Sequence, residues 1–108
     1  MRSGLTQLTF PGSAALRAFE SAGRLGSFKR AALELRVTES AISHQIRRLE
    51  RELGNELFVR GHRQIKLNPA GRAYLDIVQQ AHRDILAATT SLQGATGSHL
   101  RLNVLPGL

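Results

Sequence analysis

Ile42, Ile46, Leu49 and Leu53 follow one another at steps of four, three and four residues. At about 100° per residue they fall on one face of a helix. Ser40, His44, Arg47 and Arg51 repeat the same steps on the opposite face, with Ser43 and Arg48 beside them. Such a helix buries one side and offers a polar, basic side to solvent, so the rest of the chain must supply a small core for it to lie on. Thr38 is placed to cap its start, Glu39 sits near the positive end of its dipole, and Gly54 can take the left-handed conformation that ends it.

Two shorter helices precede this one. The first is expected over about residues 13–22, with Ser13 as its cap, Ala15, Leu16, Phe19 and Ala22 on one face, and Gly23 as its stop. After a loop, Arg24-Leu25-Gly26, Ser27 caps a second helix running to about Leu35. Its stripe of Phe28, Ala31, Ala32 and Leu35 has small residues at the centre, which lets another helix approach closely. Arg36 and Val37 then make a tight connection to Thr38.

Leu57–Arg60 and Gln64–Leu67 are β-prone runs on either side of Gly61-His62-Arg63, a pattern that predicts a hairpin with a basic tip. Asn68 and Pro69 supply the cap and first residue of a new helix. Along it Tyr74, Val78, Ala81, Ile85, Ala88 and Leu92 alternate steps of four and three, a heptad seam. Some 24 residues reach about 36 Å, beyond a domain this small, so the seam is expected to meet a partner helix and form a dimer. Residues 1–12 read as a loose arm. Gly94–Ser98 reads as a linker, and Leu100–Leu105 as a strand expected to open a further domain. The predicted fold is therefore mainly α: a winged helix-turn-helix of three helices and a two-stranded wing over residues 13–68, a dimerisation helix over 69–92, and a hinge over 93–108.

The 108 residues suffice for one small core and not for two. Fifteen Lys and Arg against eight Asp and Glu give a formal charge of +7, and residues 1–68 carry twelve of the basic side chains against six acidic ones. That asymmetry favours a polyanionic partner at the winged part. With 5% aromatic residues and no tryptophan, stacking on single strands is disfavoured and duplex DNA is the better polyanion. The absence of cysteine removes disulfides and thiolate metal sites. No apolar run reaches the length of a membrane span, and a cytoplasmic location is expected. His44, His62, His82 and His99 lack metal-ligand spacing. Ser43 and His44 are neighbours on a helix and point about 100° apart, so they do not form a nucleophile and base. No metal, cofactor or enzymatic activity is expected.

Two helices joined by a tight turn, the second polar and basic on its outer face, have the geometry that places a helix in the major groove. Arg60, Arg63 and Lys66 on the hairpin can grip a phosphate strand or reach a minor groove, and short polar side chains near the helix start can approach base edges. The competing reading is a protein-interaction adaptor that uses the winged domain and the long helix to hold acidic proteins.

Ser27-Phe28-Lys29-Arg30-Ala31-Ala32, the run Val37 to Glu50, Leu53-Gly54, Leu57-Phe58-Val59-Arg60 and Leu67-Asn68-Pro69-Ala70-Gly71 together resemble the N-terminal signature of LysR-type transcriptional regulators. The resemblance covers about residues 13–92. Ser43-His44-Gln45 and Leu102–Pro106 look more like the subgroup of the glycine-cleavage activator. It implies sequence-specific binding to a partly palindromic promoter site, by a homodimer whose linker helices pair antiparallel, usually within a tetramer. It also implies that residues 93–108 begin a truncated domain through which a small-molecule effector acts. By that pattern Glu39, Ser40, Ser43 and His44 face bases, while Arg47 and the wing residues Arg60, Arg63 and Lys66 face the backbone; Lys29 is a further DNA-binding candidate, as is Thr38, whose main role is the helix cap. Glu39 stands where many members have Gln, and Asn68 where most have Thr.

Overall fold

The computed structural model describes residues 10–59 and 64–94. The arm over residues 1–9, the hairpin tip at 60–63, and residues 95–108 with their expected linker and strand lie outside the described residues. The elements, in order, are α1 (Ser13–Leu25), α2 (Phe28–Leu35), α3 (Glu39–Leu53), β1 (Phe58–Val59), β2 (Lys66–Leu67) and α4 (Pro69–Gly94). None of these helices is long and apolar enough to cross a membrane.

Helix α1 departs from expectation at both ends. Ser13 is its first residue rather than its cap; Gly12 holds the cap position, with no side-chain cap bond. At the other end Gly26, at φ 68°, closes the helix by donating to the Ala22 carbonyl at 2.8 Å, and Gly23 lies inside. A Cβ at Gly23 would stand 3.3 Å from Leu75 Cδ2 and 3.5 Å from Leu67 Cδ2. Gly23 thus makes room for two leucines, and that packing outweighs its poor helix propensity.

The other ends follow local chemistry. The Ser27 hydroxyl accepts from the Arg30 amide and the Thr38 hydroxyl from the Ala41 amide, each at 3.0 Å. Helix α2 is closed by Arg36, at φ 60° the only non-glycine residue with positive φ among the described residues; the Val37 amide next to it donates to the Ala32 carbonyl at 3.0 Å. Gly54, at φ 68°, closes α3.

Helices α1, α2 and α3 pack on one another. Phe19, Ala22, Ala31, Ile42, Ile46 and Leu49 are buried between them, with Leu57 and Phe58. The wing is antiparallel, Phe58 opposite Leu67 and Val59 opposite Lys66. Phe58 carries it into the core: its ring meets Phe19 edge-on at 5.9 Å and Phe28 at 5.8 Å. Tyr74, expected in the dimer seam, is half-buried with its ring 5.6 Å from Phe19, and burial raises the pKa of its hydroxyl. Two polar groups fasten the wing. Glu50 is buried and accepts from the Leu57 amide at 2.8 Å. Asn68 accepts from the Gly71 amide at 2.7 Å through Oδ1 and donates to the Glu56 carbonyl at 2.9 Å through Nδ2, so it caps α4 and holds the approach to β1 together.

The chain divides into two compact units, one ending at Leu75 and a second from Asp76 onward. The described part of the second is the remainder of α4, to Gly94. Along it Ile77, Ile85 and Leu86 are 66%, 64% and 65% exposed.

Candidate nucleic-acid interface

The two faces of α3 separate as their spacing requires. Ile42, Ile46 and Leu49 are buried, while Glu39, Ser40, His44, Arg47, Arg48 and Arg51 are exposed and Ser43 is half-buried. The capping of α3 by Thr38 leaves the side chains of its first turn pointing outward from a fixed start. The three-helix core behind it makes that turn a rigid platform, which a reading surface needs.

The surface has a second and third contributor. Ser27, Phe28 and Lys29 from the start of α2, Glu39 from the start of α3 and Ile65 next to β2 line one groove of about 340 Å³. Lys29 and Lys66 are both exposed. The structure therefore brings Lys29, Glu39 and the base of the wing to one place, although they are far apart in sequence. At the other end of α3, Arg47 and Arg51 border a shallow depression that they share with Gly54, Asn55 and two acids, Glu50 and Glu56. Arg60 and Arg63, expected on the wing tip, lie outside the described residues.

Charge pairing sorts the cations into two groups. Arg24 holds Glu20 at 2.9 Å and also Glu34, and Arg48 holds Glu52 at 3.4 Å. These arginines serve the fold's own surface. Arg17, Lys29, Arg30, Arg36, Arg47, Arg51, Lys66 and Arg72 make no hydrogen bond or ion pair through their side chains among the described residues, and of these Lys29, Arg36, Arg47, Arg51 and Lys66 belong to α3, to the turn before it, or to the elements around its groove. Glu50, which a surface reading would pair with Arg47 or Arg51, turns inward to the Leu57 amide instead. Unpaired cations gathered around a polar helix face form an anion-binding surface, and counterion release supplies its affinity.

Arg36 was not among the residues expected to bind. It is exposed in the turn between α2 and α3. The local sequence gave one cue, a basic residue at the turn of a helix-turn-helix; its left-handed backbone depends on how α2 ends and is not visible in spacing. Among the described residues no group of three His, Asp or Glu side chains is placed to hold a metal ion. Of the expected dimer residues, Ala81 and Ile85 are exposed, Ala88 and Leu92 half-buried, and Val78 buried.

Residues 13–72 match the family model described as bacterial regulatory helix-turn-helix protein, lysR family. The glycine cleavage system transcriptional activator of Escherichia coli (strain K12) is 41% identical over 93 residues, or 85% of this chain, and its Haemophilus influenzae homolog is 43% identical over 90 residues, or 82%. The chain spans 30% of the length of each of these curated relatives. Among solved structures, the complex of the BenM DNA-binding domain with catB site 1 DNA superposes with a TM-score of 0.76 at 28% identity, covering 80% of this chain and 96% of that one.

Proposed function

This chain belongs to the LysR family of bacterial helix-turn-helix regulators, and we propose that it binds double-stranded DNA sequence-specifically, as a dimer, to regulate transcription. In this reading α3 enters the major groove. Glu39, Ser40, Ser43 and His44 face base edges, while Lys29, Thr38, Arg36, Arg47 and Lys66 face phosphates, with Arg60 and Arg63 as further phosphate ligands on the wing.

The observation that carries this proposal is the division of α3: one face is buried in the core, and the other is a polar, cationic strip whose flanking lysines and arginines are left unpaired. The likeness to a domain solved on DNA supports the same docking. A dimer places two recognition helices about one helical turn of DNA apart, roughly 34–36 Å, and so doubles the sequence read. The exposed Ile77, Ala81 and Ile85, which fall within about 80° of one another on α4, support a helix-to-helix contact.

The test is a titration of the chain against the promoter DNA upstream of its own coding sequence and against a scrambled duplex, at two salt concentrations. A preference for the promoter that persists at the higher salt is expected. Arg47→Ala should weaken binding to both duplexes and reduce the salt slope by about one, whereas Ser43→Ala and His44→Ala should change base preference. Equal and steeply salt-dependent binding to both duplexes would overturn sequence-specific readout.

A further inference from the structure

Of the six acids described in the winged unit, Glu39 and Glu56 make no side-chain hydrogen bond or ion pair among the described residues, and of these two Glu39 stands on the first turn of α3. Glu20 and Glu34 hold Arg24, Glu52 holds Arg48, and Glu50 holds the Leu57 amide. Glu39 is exposed at the first position of α3 and makes no hydrogen bond or ion pair among the described residues, although Lys29 lines the same groove. The side-chain cap of this helix start comes from Thr38, whose hydroxyl takes the Ala41 amide, so the local role left to Glu39 is that of a charge near the dipole. An unpaired carboxylate on a surface built to approach phosphates is repelled by every DNA sequence alike, unless some base edge offers it a compensating donor.

The major-groove edges differ in what they offer a carboxylate, which only accepts. Guanine presents two acceptors, and thymine an acceptor and a methyl group. Adenine presents a donor next to the N7 acceptor, which repels a second oxygen. Cytosine presents an N4 amino group whose hydrogen points into the groove. We infer that Glu39 is a specificity-determining residue that selects a cytosine in each half-site by accepting from its N4 amino group. The inference rests on the proposed placement of α3 in the major groove. It also implies a penalty elsewhere: Glu39 lowers affinity for unrelated DNA, which widens the gap between right and wrong sites.

The test is selection from a randomised duplex library by the full chain, alongside Glu39→Gln and Glu39→Ala. The unaltered chain should enrich a motif with a cytosine at one position of each half-site, and replacing that cytosine should weaken binding about tenfold. Glu39→Gln should move the preference at that position to adenine, which an amide pairs through N6 and N7. Glu39→Ala should leave the position unspecified, and both variants should bind a scrambled duplex more tightly than the unaltered chain. A selected duplex carrying N4-methylcytosine at that position should bind the unaltered chain more weakly and leave Glu39→Ala unaffected. Thermal stability does not discriminate, because a mere dipole partner would lower it too. An identical motif from all three proteins would overturn the inference and leave Glu39 as a helix-start charge. If no protein enriched any motif, the proposed DNA reading itself would fall.

Discussion

A Cβ on Gly71 would lie 2.0 Å from the Leu57 carbonyl oxygen and 2.9 Å from Leu67 Cδ2. No side-chain rotation relieves a clash with backbone, so Gly71→Ala must push the start of α4 away from the wing. The move would strain the Asn68 bonds to the Gly71 amide and the Glu56 carbonyl. A loss of at least about 1–3 kcal/mol is expected, the range for overpacking, read as a lower urea midpoint. An unchanged midpoint would mean that α4 and the wing are not in contact at this point. Arg36 presents the opposite case. Its φ of 60° costs a non-glycine residue about 1–2 kcal/mol, and nothing within the fold uses its guanidinium. Arg36→Gly should therefore raise the thermal midpoint while weakening DNA binding, a separation of stability from affinity that marks a residue kept for its charge. If Arg36→Gly left affinity for DNA intact, Arg36 would drop out of the interface.

At the scale of elements, α1 and α2 are joined by a polar cluster as well as by their apolar faces. Ser21 is fully buried and donates to Glu34 at 2.9 Å, and Arg24 reaches both Glu34 and Glu20. The Arg24 guanidinium, helped by Ser21, holds the Glu34 carboxyl below the ordinary carboxylate range, and the two acids raise the pKa of Arg24 in turn. A folded-state pKa below the unfolded one means that the stabilisation is complete above the unfolded value, about 4.3 for Glu, and is lost as the pH falls through the folded value. Urea midpoints measured from pH 7 to pH 3 should fall on the acid side, and Glu34→Gln should flatten that fall; an unaltered acid limb in the variant would remove Glu34 as its source.

This cluster also shows which parts of the fold the sequence makes legible. The starts of α2 and α3 and the end of α3 follow from Ser27, Thr38 and Gly54, because a cap is satisfied by residues three or four positions away. The division of α3 into a buried and a reading face follows from its spacing for the same reason. Gly23 misleads because its role is set by Leu67 and Leu75, more than forty residues on. Glu50 looks like a surface acid beside two arginines until the wing amide of Leu57 is known to lie against it. Tyr74 fits a heptad by spacing, and only the position of Phe19 draws its ring into the core. Of the interface, the α3 strip is readable from spacing, whereas its meeting with Lys29 and Ile65 depends on packing between distant elements.

For the whole molecule, the question is what the second unit contributes to binding. Helix α4 runs for 26 residues, about 39 Å at 1.5 Å per residue. Beyond Asp76 its apolar side chains at 77, 85 and 86 stay about two-thirds exposed. Ile77 and Ile85 lie within about 80° of each other on one side of the helix, a poor arrangement for a monomer and a suitable one for a helix pair, whereas Leu86 lies about 100° further round. Ile85→Asp tests this without disturbing the core, because the side chain is already in solvent and the first unit ends at Leu75. Sedimentation should show a dimer for the unaltered chain and a monomer for Ile85→Asp, with the thermal midpoint of the winged unit preserved. Affinity for a duplex with two half-sites should then fall about 100-fold or more, since the second half-site is no longer bound at the high effective concentration that linkage provides. Affinity for a duplex with a single half-site should stay the same. A variant that became monomeric yet kept its affinity for the two-site duplex would show that each winged unit binds alone and that α4 contributes nothing to recognition. A variant that remained dimeric would place the pairing surface elsewhere on the chain.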